Sequence, residues 1–264
     1  MKTVVCVKQV AALDEEFELL EDGLGVDEEF IEWNLNEWDT FSLEAALQLR
    51  EGAGGKGEVV AITVGDEQAE EGLLACLARG ADRGVRVWGE ALQSGDALAV
   101  ARVLAAAVAR ESPDLVLCGV QSSDAVTGST GTALAGYLDL ARVAVVTALS
   151  YDAASSTLTV DRELEGGLVE VVCVGLPALL TIQTGINEPR YATLRAIKQA
   201  REKPLERLGL ADLELRADEV AAAAGARTVG LAVPDRGAGA EMLDGSPAEV
   251  AARIAEIVQE RLSG

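Results

Sequence analysis

Histidine is absent from the 264 residues, and that absence removes the usual general base, the commonest zinc ligand and the Ser-His and Cys-His nucleophile pairs. Hydrolase chemistry built on those pairs is excluded with it. Basic side chains are scarce as well. The 22 Lys and Arg stand against 44 Asp and Glu, a net charge of -22, so nucleic acid is repelled at nearly every orientation. A basic partner surface suits such a chain better, although excess carboxylate is equally a solubility device. The four cysteines, Cys6, Cys76, Cys118 and Cys173, never form a Cys-x-x-Cys pair; reduced, buried thiols in a cytoplasmic protein are expected. The longest apolar run, about 171–182, is broken by Gly175 and Pro177 and is too short to span a bilayer. The opening run 1–7 meets the charge of Lys8 too early for a signal peptide. The expectation is a cytoplasmic location without membrane insertion.

What is present is an alternation. Short runs of Val, Leu and Ile alternate with longer helical patterns, the mark of βαβ units and a mainly parallel sheet in an α/β fold. The spacing predicts strands at 3–7, 58–64, 85–88 and 114–118, and helices at 39–50, 67–79, 97–111 and 130–138. Strands at 143–149, 157–164, 168–174 and 178–184 follow one another closely and predict antiparallel hairpins, with Gly166-Gly167 as a turn. Beyond Pro204 the chain reads as polar and irregular until Ser246-Pro247-Ala248-Glu249, which supplies a cap, a first-position proline and a capping glutamate to a last helix. Residues 1–221 are expected to form one domain and 222–264 an extension.

The loop Gly119-Val120-Gln121-Ser122-Ser123-Asp124-Ala125-Val126-Thr127-Gly128-Ser129-Thr130-Gly131 joins a strand's carboxyl end to a helix's amino end, where ligands bind in open α/β sheets. Glycines admit an anion to the backbone, Thr127, Ser129 and Thr130 add hydroxyl donors, and the helix dipole favours negative charge. A phosphate is the natural guest. The stretch matches neither the Walker pattern nor the Rossmann glycine fingerprint, and ordinary turn glycines with helix-capping hydroxyls fit it equally well. Asn34, Asn36 and Asp39 precede the first predicted helix. They suit hydrogen bonds to a ribose or base, or, for Asp39, a helix cap.

Beyond the strand ending near Thr184, residues 185–197 carry polar and aromatic side chains around Pro189. Two readings stand: a rigid turn presented to a partner, or an internal clasp in which Arg190 pairs with a carboxylate.

Several motifs then carry a resemblance. Asn187-Glu188-Pro189-Arg190-Tyr191 with Leu194, preceded by Arg162-Glu163-Leu164-Glu165-Gly166-Gly167 and Leu176-Pro177-Ala178, resembles the beta subunits of electron transfer flavoproteins. The similarity takes in Val7-Lys8-Gln9-Val10, Gly80-Ala81-Asp82-Arg83 and 114–119, and so covers nearly the whole chain. Leu35-Asn36-Glu37-Trp38-Asp39, Gln121-Ser122-Ser123-Asp124 and Arg195-Ala196-Ile197-Lys198-Gln199 resemble the subunits of methylotrophic bacteria in particular.

The resemblance implies a doubly wound sheet of the adenine-nucleotide-binding type and a noncatalytic role. It implies an alpha subunit as partner, with the 222–264 extension packing on it, and one FAD per heterodimer, held mainly by alpha. AMP is implied in this chain, with contacts at Cys6, at Asn36, Glu37, Trp38 and Asp39, at Val64, and along Gly119, Gln121, Ser122, Ser123, Asp124, Thr127, Gly128, Ser129 and Thr130. The loop 182–204 is implied as the recognition loop for dehydrogenases, with Asn187, Pro189, Arg190 and Tyr191 around an anchoring Leu194. Glu163 is a candidate for pairing with an arginine of the mobile flavin domain, or for a surface ion pair within the chain. Many relatives have proline where Ala11 and Arg195 stand here, and some have amide side chains at the positions of Gly128 and Ser129. Two rival readings keep a related fold: an electron-bifurcating relative with a second FAD in place of AMP, and a free-standing ATP-binding module of the universal-stress type.

Overall fold

The computed structural model describes residues 1–13, 17–93, 95–234, 240 and 242–263. The central strand β1 (Lys2–Cys6) shows why the sheet is parallel: Val4 faces one layer and Val5 the other, and both are fully buried. A strand covered on both faces needs a continuous apolar run, and residues 3–7 supply one. The next two strands, β2 (Gln9–Leu13) and β3 (Ile31–Leu35), pair antiparallel as a separate ribbon. The sequence patterning did not announce this ribbon, because an acidic stretch rather than a tight turn separates its arms.

A helix and a strand then alternate: α1 (Glu37–Gly52), β4 (Glu58–Val64), α2 (Ala69–Arg79), β5 (Arg83–Trp88), α3 (Ala97–Glu111), β6 (Leu115–Gly119) and α4 (Thr130–Leu138). These elements match the predicted ones within a few residues, and α3 and α4 coincide with them. The chain continues through β7 (Ala141–Asp152), β8 (Thr157–Glu163), β9 (Val169–Gly175), β10 (Ala178–Ile182), α5 (Leu194–Ala200), β11 (Leu205–Gly209) and α6 (Ala217–Ala223).

Among the described residues the main sheet has nine strands in the order β11-β5-β4-β1-β6-β10-β7-β8-β9. From β1 the chain winds outward through β4 and β5, then returns to lay β6 on the other flank of β1. The order therefore reverses between β1 and β6, which opens a crevice at their carboxyl ends. Two apolar layers enclose the sheet. Leu43, Leu47, Leu73 and Leu77 of α1 and α2 pack on Val5, Ala61 and Leu117, while Val103, Leu104, Val108 and Leu134 of α3 and α4 pack on Val4, Ile62 and Val116. Each such leucine withdrawn from water contributes roughly 1.5–3 kcal/mol.

Three expectations need correction. β7, β8 and β9 form antiparallel pairs with the Gly166-Gly167 turn as predicted, but β10 does not join them in a hairpin. It inserts between β6 and β7, parallel to both, as suits a strand whose five residues are all buried. Residues 194–200 form the helix α5, where Thr193 Oγ1 accepts from the Ala196 amide at 3.2 Å. The polar stretch after Pro204 contains β11, an edge strand beside β5, with Arg207 bonded to Glu70 at 2.7 Å. An edge needs no two-sided apolar run, so patterning passes over it. The thiols also divide: Cys6, Cys76 and Cys118 are buried, but Cys173 on β9 is exposed.

The compact main unit runs from Met1 to Gly230; Val220 of α6 is fully buried in it, and the Gly225 and Ala226 amides beyond are bonded to Asp96 at 2.9 Å each. Within 231–264, residues 235–239, 241 and 264 lie outside the described residues. The helix α7 (Pro247–Ser263) opens with the expected capping arrangement: the Ser246 amide donates to Glu249 Oε2 at 2.8 Å, and the Glu249 amide to Ser246 Oγ at 3.4 Å. Ile254, Val258 and Leu262 form an exposed apolar stripe along it. No helix among the described residues is long and apolar enough to cross a membrane.

Candidate functional site

The crevice at the strand-order reversal is a cleft of about 480 Å³, inside the roughly 300–1,000 Å³ range of small-molecule sites. Its floor is set by one carboxylate. Asp39 is helical, in the first turn of α1, and is not the cap; Asn36 holds that position without a side-chain capping bond. Asp39 Oδ2 accepts from the Lys8 amide at 2.8 Å, and Oδ1 from the Gly119 amide at 2.9 Å. The carboxyl ends of β1 and β6 are thereby tied to α1. Burial pushes Asp39 up to about 7, against the pull of those two N–H donors.

Asn36 continues the tie: its Nδ2 donates to the Gln121 carbonyl at 2.9 Å, and its Oδ1 accepts from the Ser123 amide at 3.2 Å. Gly119 must be glycine, since a Cβ there would lie 2.5 Å from Trp38 Cβ. Gly131 is equally constrained: a Cβ would lie 2.6 Å from Cys118 Sγ and 2.8 Å from Thr181 Cγ2. That close approach seats the first turn of α4 directly on the ends of β6 and β10.

The loop between β6 and α4 divides its amides. Those of Gly119, Val120, Ser123, Ala125 and Val126 donate within the chain. The first-turn amides of α4 have no intrahelical acceptor by construction, and Ser129, at the N-cap, makes no side-chain capping bond. The hydroxyl-capping reading of this loop therefore fails at Ser129. What remains is a row of donors with a helix dipole behind them, an anion site by chemistry. The opposite wall is apolar: Val64, Trp88, Leu92, Val100 and Leu104 line it.

Eleven of the residues singled out from the sequence line this one cleft: Cys6 from β1, Asn36 and Asp39 from the start of α1, Val64 from β4, Gly119 from β6, and Gln121, Ser122, Thr127, Gly128, Ser129 and Thr130 from the loop and α4. Four stand apart from the lining. Glu37 is exposed at the start of α1. Trp38 Nε1 donates to Gln183 Oε1 at 3.0 Å, Ser123 serves Asn36, and Asp124 grips Lys8 Nζ at 2.7 Å. Burial raises Asp124, but its bonds to Lys8 and Ser122 hold it below the usual carboxylate range.

Sequence reasoning missed Lys8, Trp88 and the α3 side. There Asp96 caps Leu98 and Ala99 at 3.0 and 3.1 Å and also accepts from the Gly225 and Ala226 amides at 2.9 Å each, which brings Thr228 to the cleft. The aspartate before a helical run was the available signal. Cys6 and Cys118 sit side by side in register. Burial, reinforced by Asp39, pushes the Cys6 thiol up to about 12. It is no nucleophile.

A second cluster lies at 182–204. Arg190 is clasped inside the chain: Nε and Nη2 donate to Glu44 at 2.7 and 2.8 Å, and Nη1 to Glu51 at 2.6 Å. Burial raises Glu44, but the guanidinium outweighs it and keeps the carboxyl ionised. Asn187 Nδ2 donates to the Phe41 carbonyl at 3.0 Å, and Pro189 is half-buried between them. Tyr191 and Leu194, by contrast, are 94% and 82% exposed. The internal clasp therefore holds at the base of the segment, and the side chains just beyond it are exposed. Glu163 is exposed and accepts from Gln183 Nε2 at 3.5 Å.

Fold and cleft define an α/β protein with a mostly parallel sheet and a small-molecule-sized crevice at its strand-order reversal, and comparison with known proteins gives its family. The model of the electron transfer flavoprotein domain matches residues 23–213, and the chain belongs to that family. It is 48% identical to the electron transfer flavoprotein subunit beta of Methylophilus methylotrophus, over 98% of each chain. The subunit beta of Bacillus subtilis is 35% identical over 86% of each, and that of Homo sapiens 36% identical over 81% of this chain and 83% of its own.

Proposed function

We propose that this chain is the beta subunit of a heterodimeric electron carrier in the cytoplasm, and that its cleft holds AMP as a structural ligand. The observation that carries the nucleotide is the α4 amino terminus: it lines the cleft, its first-turn amides have no intrahelical acceptor, and Ser129 makes no side-chain capping bond among the described residues. Thr127, Gly128, Ser129 and Thr130 would take the phosphate, and the wall of Val64, Val100 and Leu104 the base. AMP supplies no redox chemistry there. It satisfies helix-start donors and, by binding only the folded chain, stabilises it.

The flavin chemistry belongs to FAD on an alpha subunit. The exposed stripe of α7 and the apolar residues Leu168, Val169 and Val171 of the β8–β9 hairpin are the surfaces we assign to that subunit. Tyr191 and Leu194, presented beyond the Arg190 clasp, are assigned to docking dehydrogenases, a small apolar anchor of the kind transient interfaces use.

Copurification with the alpha subunit, followed by an absorption spectrum and identification of released nucleotides, tests the reading. One FAD and one AMP per heterodimer is expected. Two flavins without AMP would replace the carrier by a bifurcating relative, and no released nucleotide would remove the cleft's function.

A further inference from the structure

The cleft contains a charge arrangement that its nucleotide role alone does not require. Lys8 is the only cation lining it among the described residues, and its ammonium is already engaged by both oxygens of Asp124, at 2.7 and 2.8 Å, with Ser122 Oγ at 3.4 Å. Asp124 is held there from its own side by the Ala125 amide at 2.7 Å. Two further carboxylates line the cleft: Asp39 at its floor, and Asp96, whose four backbone donors hold it below the usual carboxylate range. A P-loop, by contrast, keeps a free lysine for the phosphates beyond the first.

We propose that the Lys8–Asp124 pair counts phosphates: by consuming the cleft's one positive charge it admits a nucleoside monophosphate and disfavours di- and triphosphates. The inference rests on the nucleotide reading of the same cleft. A single phosphate needs only the α4 amides, the hydroxyls and the dipole. Every added phosphate brings further negative charge into a site whose remaining charged groups are carboxylates, and at short range in a partly desolvated cleft such charge goes uncompensated. Asp124 is thus a specificity residue that acts through Lys8.

The test is equilibrium binding of AMP, ADP and ATP, without divalent metal, to the nucleotide-stripped heterodimer and to two variants. Wild type prefers AMP over ATP. Asp124→Asn frees the ammonium and narrows the AMP-to-ATP preference by about tenfold, equivalent to ~1.4 kcal/mol. Lys8→Met leaves Asp124 unbalanced and widens it. Opposite movements of the ratio support the filter, because damage to the fold lowers affinity for all three nucleotides together. A ratio unmoved in both variants, or equal affinities in wild type, overturns the filter while leaving the nucleotide site intact. If wild type binds none of the three, the nucleotide reading falls and the filter falls with it.

Discussion

Two helix amino termini border one cleft, and the chain treats them in opposite ways. At α3 it provides its own anion: Asp96 caps two first-turn amides and draws in two more from 225–226. At α4 the N-cap hydroxyl of Ser129 makes no capping bond. A helix start neutralised from within is architecture, while one left open beside a cavity awaits an anion from elsewhere.

The sharpest way to break this contrast is to lift α4 off the sheet. Gly131→Val drives methyls into Cys118 and Thr181, and should cost at least about 2–3 kcal/mol, read as a fall in thermal midpoint together with loss of copurifying nucleotide. Gly136→Ala, one turn along the same helix where nothing lies within 4 Å, should instead stabilise by about 0.5–1 kcal/mol.

Next in size is Asp39→Asn, which turns an amide NH2 toward a backbone donor and should cost about 1–3 kcal/mol. Its pH dependence is diagnostic. Because burial raises the folded Asp39 from 3.8 to about 7, the folded state holds the proton more tightly. The associated stability is complete below the unfolded value and is lost as pH rises towards 7. Urea unfolding should therefore show the wild-type advantage over the variant shrinking as pH rises from 3.8 to about 7 and levelling off above that.

Asp96→Ala tests the closed terminus. It should cost about 1–2 kcal/mol as a lost cap, with faster amide exchange at Gly225 and Ala226. The smallest stability effect is reserved for the open terminus: Ser129→Ala should change the stability of the nucleotide-free protein by less than about 0.5 kcal/mol while weakening nucleotide retention. A large loss of stability there would erase the distinction between the two helices.

The legibility of this molecule follows the same line. Elements whose patterning is set by two-sided burial, such as β1, β4 and β6, and helices with clear ends, such as α3 and α4, could be read from residues alone. β11 and α5 could not, because one is an edge and the other rests on one face, so neither imposes a complete apolar pattern. The cleft-lining loop between β6 and α4 was legible through its glycines and hydroxyls. Asp39 was legible as a polar residue near the site but not as the floor of it, since its partners, the Lys8 and Gly119 amides, come from strands distant in sequence. Lys8 was hidden for the same reason: a lysine after a strand looks solvated until the loop carrying Asp124 folds across it.

The rim of the sheet at β9 carries its own consequence. Val169 and Val171 lie open at the last strand, whose outer row of N–H and C=O groups has no neighbour within the described residues. A solitary copy therefore exposes a ready template for stacking against its twin.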